Sequence, residues 1–80
     1  MWTREEAIEF GRASAEAAID QWKTWGSLQE SICNSFDNLR DTLVEYRASH
    51  HEEEAVLEFY SVLAKHPTAR RFDRVTFRLI

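Results

Sequence analysis

Between positions 28 and 47 the apolar residues fall at Leu28, Ile32, Phe36, Leu39, Leu43 and Tyr46. These steps of three and four keep them on one face of a helix, while Asp37, Asp41 and Glu45 take another face. This is the cleanest stripe in the chain and predicts a central helix, about 28–47, with apolar partners on both sides. Upstream, Ile8, Gly11, Ala15, Ala18, Ile19, Trp22 and Trp25 recur at three and four, predicting a first helix over about 4–25. The small residues Gly11 and Ala15 in that seam allow a neighbouring helix to approach closely. Thr3 with Glu6, and Ser27 with Glu30, are capping-box patterns that start these two helices. The short Gly26-Ser27 connection makes them antiparallel neighbours.

Ala48-Ser49 interrupts the central stripe, and Ser49 with Glu52 is a third capping pattern that opens a helix over about 50–66. One long kinked helix is the competing reading. Ala55, Val56, Phe59, Tyr60, Val62 and Leu63 are too many for a narrow stripe, so this third helix is expected to be the most buried. Pro67 stops it. From Arg74 the pattern changes to strict alternation, with Val75, Phe77 and Leu79 on one side and Arg74, Thr76 and Arg78 on the other. That predicts a half-buried strand over about 74–79. A fourth helix from Pro67 is the weaker alternative, because it puts Phe77 on the solvent side.

The expected fold is therefore a single mainly α domain over 1–80: an antiparallel helical hairpin, a third helix and a short C-terminal β-strand. Its core is expected from Ile8, Ala15, Ile19, Trp22, Ile32, Phe36, Leu39, Leu43, Val56, Phe59 and Leu63, with Phe36 contributing most. No second comparable strand is evident, and a lone edge leaves backbone groups unpaired. Val75, Phe77 and Leu79 are thus expected to form a homodimer interface.

An 80-residue chain supports one small core. The net charge of −4 divides into an acidic body, −7 over residues 1–66, and a basic tail, +3 over residues 67–80, where Arg70, Arg71, Arg74 and Arg78 oppose Asp73. The tail arginines are expected to fold over acidic helix faces of this chain or of a partner chain, and direct nucleic-acid binding is not expected from so acidic a body. A lone Cys33 excludes an internal disulfide framework and reads as a packed thiol in the reducing cytoplasm. Early acids at Glu5 and Glu6 do not suit a signal peptide, and the apolar run from Ala55 to Ala64 contains Glu58 and is far too short to span a membrane.

Candidate chemistry is sparse. His50 and Glu54 stand at i and i+4, two ligands of the type zinc accepts, without a second element to complete a site. The two glycines form no phosphate loop. The reading is a non-enzymatic protein without cofactors that binds another protein. Trp2, Phe10, Trp25 and Tyr60 are natural anchors for such an interface if they stay exposed.

In size, charge and lack of catalytic residues the whole chain resembles the small acidic helical proteins of phages and mobile elements, above all the anti-CRISPR inhibitors. Those proteins share no common sequence pattern, so no residue is carried over from them. The resemblance implies a phage-encoded inhibitor in the host cytoplasm that blocks an effector complex, with a CRISPR effector subunit as its partner. Glu5, Glu9, Glu16 and Asp20 on the first helix, with Glu52, Glu53, Glu54 and Glu58 on the third, are the candidate partner-binding residues. Carboxylates at i and i+4 stand about 6 Å apart along a helix, comparable to successive phosphates on a strand. An antitoxin-like or regulatory protein with one cognate partner is the alternative, and a metal-dependent enzyme the remote one.

Overall fold

The computed structural model describes residues 1–22 and 26–80. The described residues form α1 (Arg4–Asp20), α2 (Leu28–Glu45), α3 (Glu52–Ala64) and a hairpin of β1 (Phe72–Asp73) with β2 (Arg78–Leu79). The mainly helical class with a C-terminal β element is the one the hydrophobic pattern predicts.

At the start of α1 the Thr3 hydroxyl accepts from the Glu6 N–H at 3.2 Å, and the Glu6 carboxylate accepts from the Thr3 N–H at 2.8 Å. Both halves of the capping box are formed. The helix ends at Asp20 rather than near 25; Trp22 is 39 % exposed, not core, and Trp25 lies outside the described residues. Ser27 Oγ accepts from the Glu30 N–H at 3.1 Å to begin α2. At its other end Arg47 takes a left-handed φ of 55°, the Arg47 N–H donates to Val44 O at 3.1 Å, and the Ala48 N–H donates to Leu43 O at 2.7 Å. This closure reverses the chain, so α2 and α3 are separate helices, not one kinked one. The third capping pattern does not form. Ser49 instead opens a 3₁₀ turn, His51 precedes α3 without a side-chain cap, and the Glu52 carboxylate accepts from Arg40 at 3.2 Å.

The hub of the fold is α1, which packs against both α2 and α3, whereas α2 and α3 meet at few positions. This corrects the expectation that the 28–47 helix is the centre. The reason is side-chain size: the inner stripe of α1 is Ala7, Gly11, Ser14, Ala15 and Ala18, which brings backbones rather than long side chains together. At Gly11 an added Cβ would collide with the Ala55 carbonyl oxygen and lie 3.0 Å from the carbonyl carbon. From α2, the Ser31 hydroxyl donates to Ala18 O at 2.7 Å in the buried seam.

Of the expected core, Ala15, Ile32, Leu39, Leu43, Phe59 and Leu63 are buried, Ile19, Phe36 and Val56 are half-buried against it, and Ile8 is half-buried on α1. Ala7, Ala18, Ala48, Ala55, Ala69 and Phe72 complete it. Helix α3 buries one stripe, Ala55, Phe59 and Leu63, and leaves Leu57 exposed.

The C-terminal segment differs from the expected single strand. Residues 74–77 form a turn, and β2 pairs antiparallel with β1 in the register Phe72 to Leu79 and Asp73 to Arg78. The expected edge thus finds its partner inside the chain, which removes the observation that motivated dimerisation. Val75, Phe77 and Leu79 do not share a face: Val75 is 89 % exposed at the turn, whereas Phe77 and Leu79 are half-buried against the core. Asp73 organises the turn. Its carboxylate accepts from the Val75 N–H at 3.0 Å and the Thr76 hydroxyl at 2.9 Å, and its carbonyl accepts from the Phe77 N–H at 2.7 Å. Phe77 adopts a left-handed φ of 59°, an uncommon conformation for a bulky residue. Its ring then meets Phe36 and Phe72 edge-on, both at 5.0 Å.

The Val75 N–H, then the Thr76 hydroxyl and the charge of Arg78, hold the Asp73 carboxyl below its ordinary value. A lowered folded pKa stabilises the fold above the unfolded value of about 3.9, and that contribution is lost as pH falls through the folded value. Asp73→Asn is therefore expected to lower the melting midpoint at pH 6 by more than at pH 3. Melting curves across that range check this; a gap between the two proteins that widens in acid would contradict it.

Candidate functional site

Charge is sorted by helix face. Of the basic residues, α1 carries only Arg4 and Arg12, and α2 only Arg40. All three turn toward α3: Arg4 Nε stands 3.1 Å from Glu54 Oε2, Arg12 Nε 3.0 Å from Glu58 Oε2, and Arg40 Nε 3.2 Å from Glu52 Oε1. Glu58 raises the Arg12 guanidinium chiefly through this hydrogen bond, and Glu16 and Glu9 add to it through their charge. Such exposed pairs contribute little to stability, because solvent screens them. Their consequence is directional, because they commit the cations of α1 and α2 to carboxylates of α3.

Of the candidate residues, Glu52, Glu54 and Glu58 are thus engaged within the chain, and Glu54 also stands 3.5 Å from His51 Nδ1. Glu53 is exposed, without an ion pair among the described residues. Glu5 lies 4.0 Å from Arg4. Glu9, Glu16 and Asp20 are exposed on α1, and Glu16 and Asp20 line a depression toward α3 with Val62, Lys65 and His66. Sequence reasoning overlooked a matching row on α2: Glu30, Asp37, Asp41 and Glu45 are all exposed and share its outward side by helical spacing. In sequence Asp37, Asp41 and Glu45 read as the polar side of a core helix and Glu30 as a capping partner of Ser27.

The tail arginines do not cover these faces. Arg74 lies over the Tyr60 ring, 5.0 Å from its centroid, and no tail arginine pairs with a helix carboxylate among the described residues. This corrects the expected cover of this chain's own acidic faces; the β-turn directs Arg74 toward Tyr60 of α3 and Arg78 toward Asp73. Burial, opposed by the charge of Arg74, raises the Tyr60 hydroxyl.

Cys33 is a packed thiol. Its Sγ lies 3.8 Å from Phe77 O, and burial, then Asp37 and Glu30, push it above its ordinary value, the reverse of what a nucleophile needs. The His50 and His51 rings stand 4.0 Å apart, and among the described residues no three His, Cys, Asp or Glu side chains are grouped to hold a metal ion. No helix among the described residues is long and apolar enough to cross a membrane.

A groove of about 480 Å³ runs along the outer seam of α1 and α2, lined by Phe10, Ala13, Ser14, Ala17 and Gln21 on one side and Asn34, Ser35 and Asn38 on the other. Phe10 and Ala13 also line a neighbouring depression with Trp2, Glu6 and Glu9. Trp2 closes that end, stacked on Tyr46 at 4.4 Å and tilted against Phe10 at 5.1 Å. Phe10 and Tyr60 are half-buried, so neither is a free-standing anchor. Ser14 is 6 % exposed, and its buried Oγ has no hydrogen-bond partner among the described residues.

No protein-family model, curated protein or solved structure matches the chain.

Proposed function

We propose that this protein is a non-enzymatic inhibitor of the anti-CRISPR kind, which lays the acidic outer faces of α1 and α2 over a basic, nucleic-acid-binding surface of an effector complex in the cytoplasm. The supporting observation is the sorting of charge: Arg4, Arg12 and Arg40 are drawn to Glu54, Glu58 and Glu52. Glu9, Glu16 and Asp20 on α1, with Asp37, Asp41 and Glu45 on α2, are exposed, and the arginines nearest them, Arg12 and Arg40, are paired to α3. A surface of one sign steers and registers a partner of the other. The carboxylates of α3 serve to hold the helices together in this reading.

Pull-down from a lysate containing CRISPR effector complexes tests the proposal. The wild type is expected to retain an effector subunit, and Glu16→Lys with Asp20→Lys to weaken that retention about tenfold, the effect of about 1.4 kcal/mol, without lowering the melting midpoint. If the double reversal leaves retention intact while Trp2→Ala abolishes it, the interface is aromatic and the electrostatic reading is wrong.

A further inference from the structure

We infer that the basic tail builds a binding site for a small phosphate monoester, in the pocket between the end of α3 and the turn that follows it. This pocket shares no residue with the acidic faces of α1 and α2. Its walls follow from how the chain leaves α3. The His66 imidazole Nδ1 accepts from the Thr68 and Ala69 N–H groups, both at 3.1 Å, and the His66 carbonyl accepts from the Arg70 N–H at 3.1 Å. These bonds fold the 3₁₀ turn Ala69–Arg71 back against α3. Between them lies a cavity of about 170 Å³ with Leu63, Ala69 and Phe72, all buried, as its apolar floor. Arg70 and Arg74, both exposed, bring the charge. No carboxylate shares the lining. Neither guanidinium forms an ion pair among the described residues. The adjacent Asp73 carboxylate is committed to the Val75 N–H and the Thr76 hydroxyl, and the cation acting on it is Arg78.

Arg74 is already held for this task. Its guanidinium lies over the Tyr60 ring, 5.0 Å from the centroid, and a guanidinium placed on an aromatic face keeps its N–H donors for two oxygens of one anion. Tyr60 also lines the pocket, and its hydroxyl makes no hydrogen bond among the described residues. Burial raises that hydroxyl against the charge of Arg74, so it stays protonated at neutral pH and can donate. Two guanidiniums select a doubly charged ligand. A phosphate monoester carries about −1.5 to −2 at pH 7, whereas a carboxylate leaves one of the two cations unbalanced. The floor of Leu63, Ala69 and Phe72 selects the other end of the ligand, a ring or short alkyl group on the ester oxygen. The cavity is smaller than the roughly 300–1,000 Å³ of pockets for larger ligands, so its occupant is on the scale of phenyl phosphate. The acidic body, −7 over residues 1–66, repels the repeated charges of a nucleic acid and leaves a small molecule as the source of the phosphate.

The probes are phenyl phosphate, benzoate and inorganic phosphate, each titrated into the full chain at physiological salt and followed by amide NMR shifts. Phenyl phosphate is expected to give saturable shifts at Ala64, Ala69 and Phe72. It should bind about tenfold more tightly than benzoate, which lacks the second charge, and than inorganic phosphate, which lacks the ring. Arg70→Gln and Arg74→Gln should each weaken phenyl phosphate about tenfold, and Arg74→Lys should weaken it too, because lysine keeps the charge and loses the fork. Arg71→Gln removes the same charge from the neighbouring residue, which does not line the pocket, and should leave the affinity unchanged. Arg70 and Arg71 are exposed, so their replacement leaves the melting midpoint in place. Arg70→Gln thus decides the case if Arg74→Gln melts lower through its lost ring contact. Equal losses in Arg70→Gln and Arg71→Gln would show diffuse attraction to a basic tail and overturn the site. Benzoate or inorganic phosphate binding as tightly as phenyl phosphate would overturn the ligand class, and the absence of saturable shifts at millimolar phenyl phosphate would overturn the inference outright.

Discussion

Phe59→Ala is expected to cost about 3–5 kcal/mol, the largest loss at any single side chain of this fold. Phe59 is fully buried, and its ring meets Phe36 at 5.7 Å and Tyr60 at 5.7 Å. Truncation opens a cavity where the buried stripe of α3 faces the rest of the core. The total stability of a chain this short is only about 4–12 kcal/mol. The variant should lose more than about 12 °C of melting midpoint, or its cooperative transition altogether. Phe36→Ala should cost less, because Phe36 is half-buried and one of its ring contacts is the hairpin residue Phe77. Thermal melts of the two variants decide the order; a larger loss at Phe36 would return the centre of the fold to α2.

The second large effect is expected at Gly11. By helix propensity alone, alanine in place of a mid-helix glycine stabilises by about 1 kcal/mol. Here the new Cβ would collide with the Ala55 carbonyl oxygen, a backbone atom that moves only if α1 and α3 separate. Overpacking of this kind costs about 1–3 kcal/mol, and separation would also strain the Arg4–Glu54 and Arg12–Glu58 pairs. Gly11→Ala is therefore expected to lower the melting midpoint. A variant that melts at or above the wild type would contradict the close approach of α1 and α3.

Helical periodicity made the three helices legible because steps of three and four were sustained over whole segments, and Thr3 with Glu6 marked the first boundary correctly. The hub was misplaced because large side chains drew attention to α2. Ala7, Gly11, Ala15 and Ala18 give a weak stripe in sequence, yet small residues are what let α1 approach both neighbours. The hairpin was hidden for a different reason. Alternation of Val75, Phe77 and Leu79 assumes extended backbone throughout, whereas the Asp73 carboxylate captures the Val75 N–H and the Thr76 hydroxyl and bends the chain. Asp followed three residues later by Thr was the available clue, a local side-chain competitor for backbone pairing.

The acidic residues were legible individually, but their standing was not. Nothing in a linear sequence tells that Arg12 reaches Glu58, 46 residues away, or that Arg40 reaches Glu52. Those pairings transfer the weight of the proposed interface from α3 to α2, where Asp37, Asp41 and Glu45 are exposed.

The most direct test of electrostatic recognition is the salt dependence of affinity for the captured effector subunit, measured for the wild type and for Glu16→Lys with Asp20→Lys. Exposed charges are screened over about 10 Å at 0.1 M salt and about 3 Å at 1 M. The account predicts that wild-type affinity falls steeply across this range and that the double reversal binds more weakly with a shallower slope. An affinity that stays level with salt, and equal for both proteins, would contradict it.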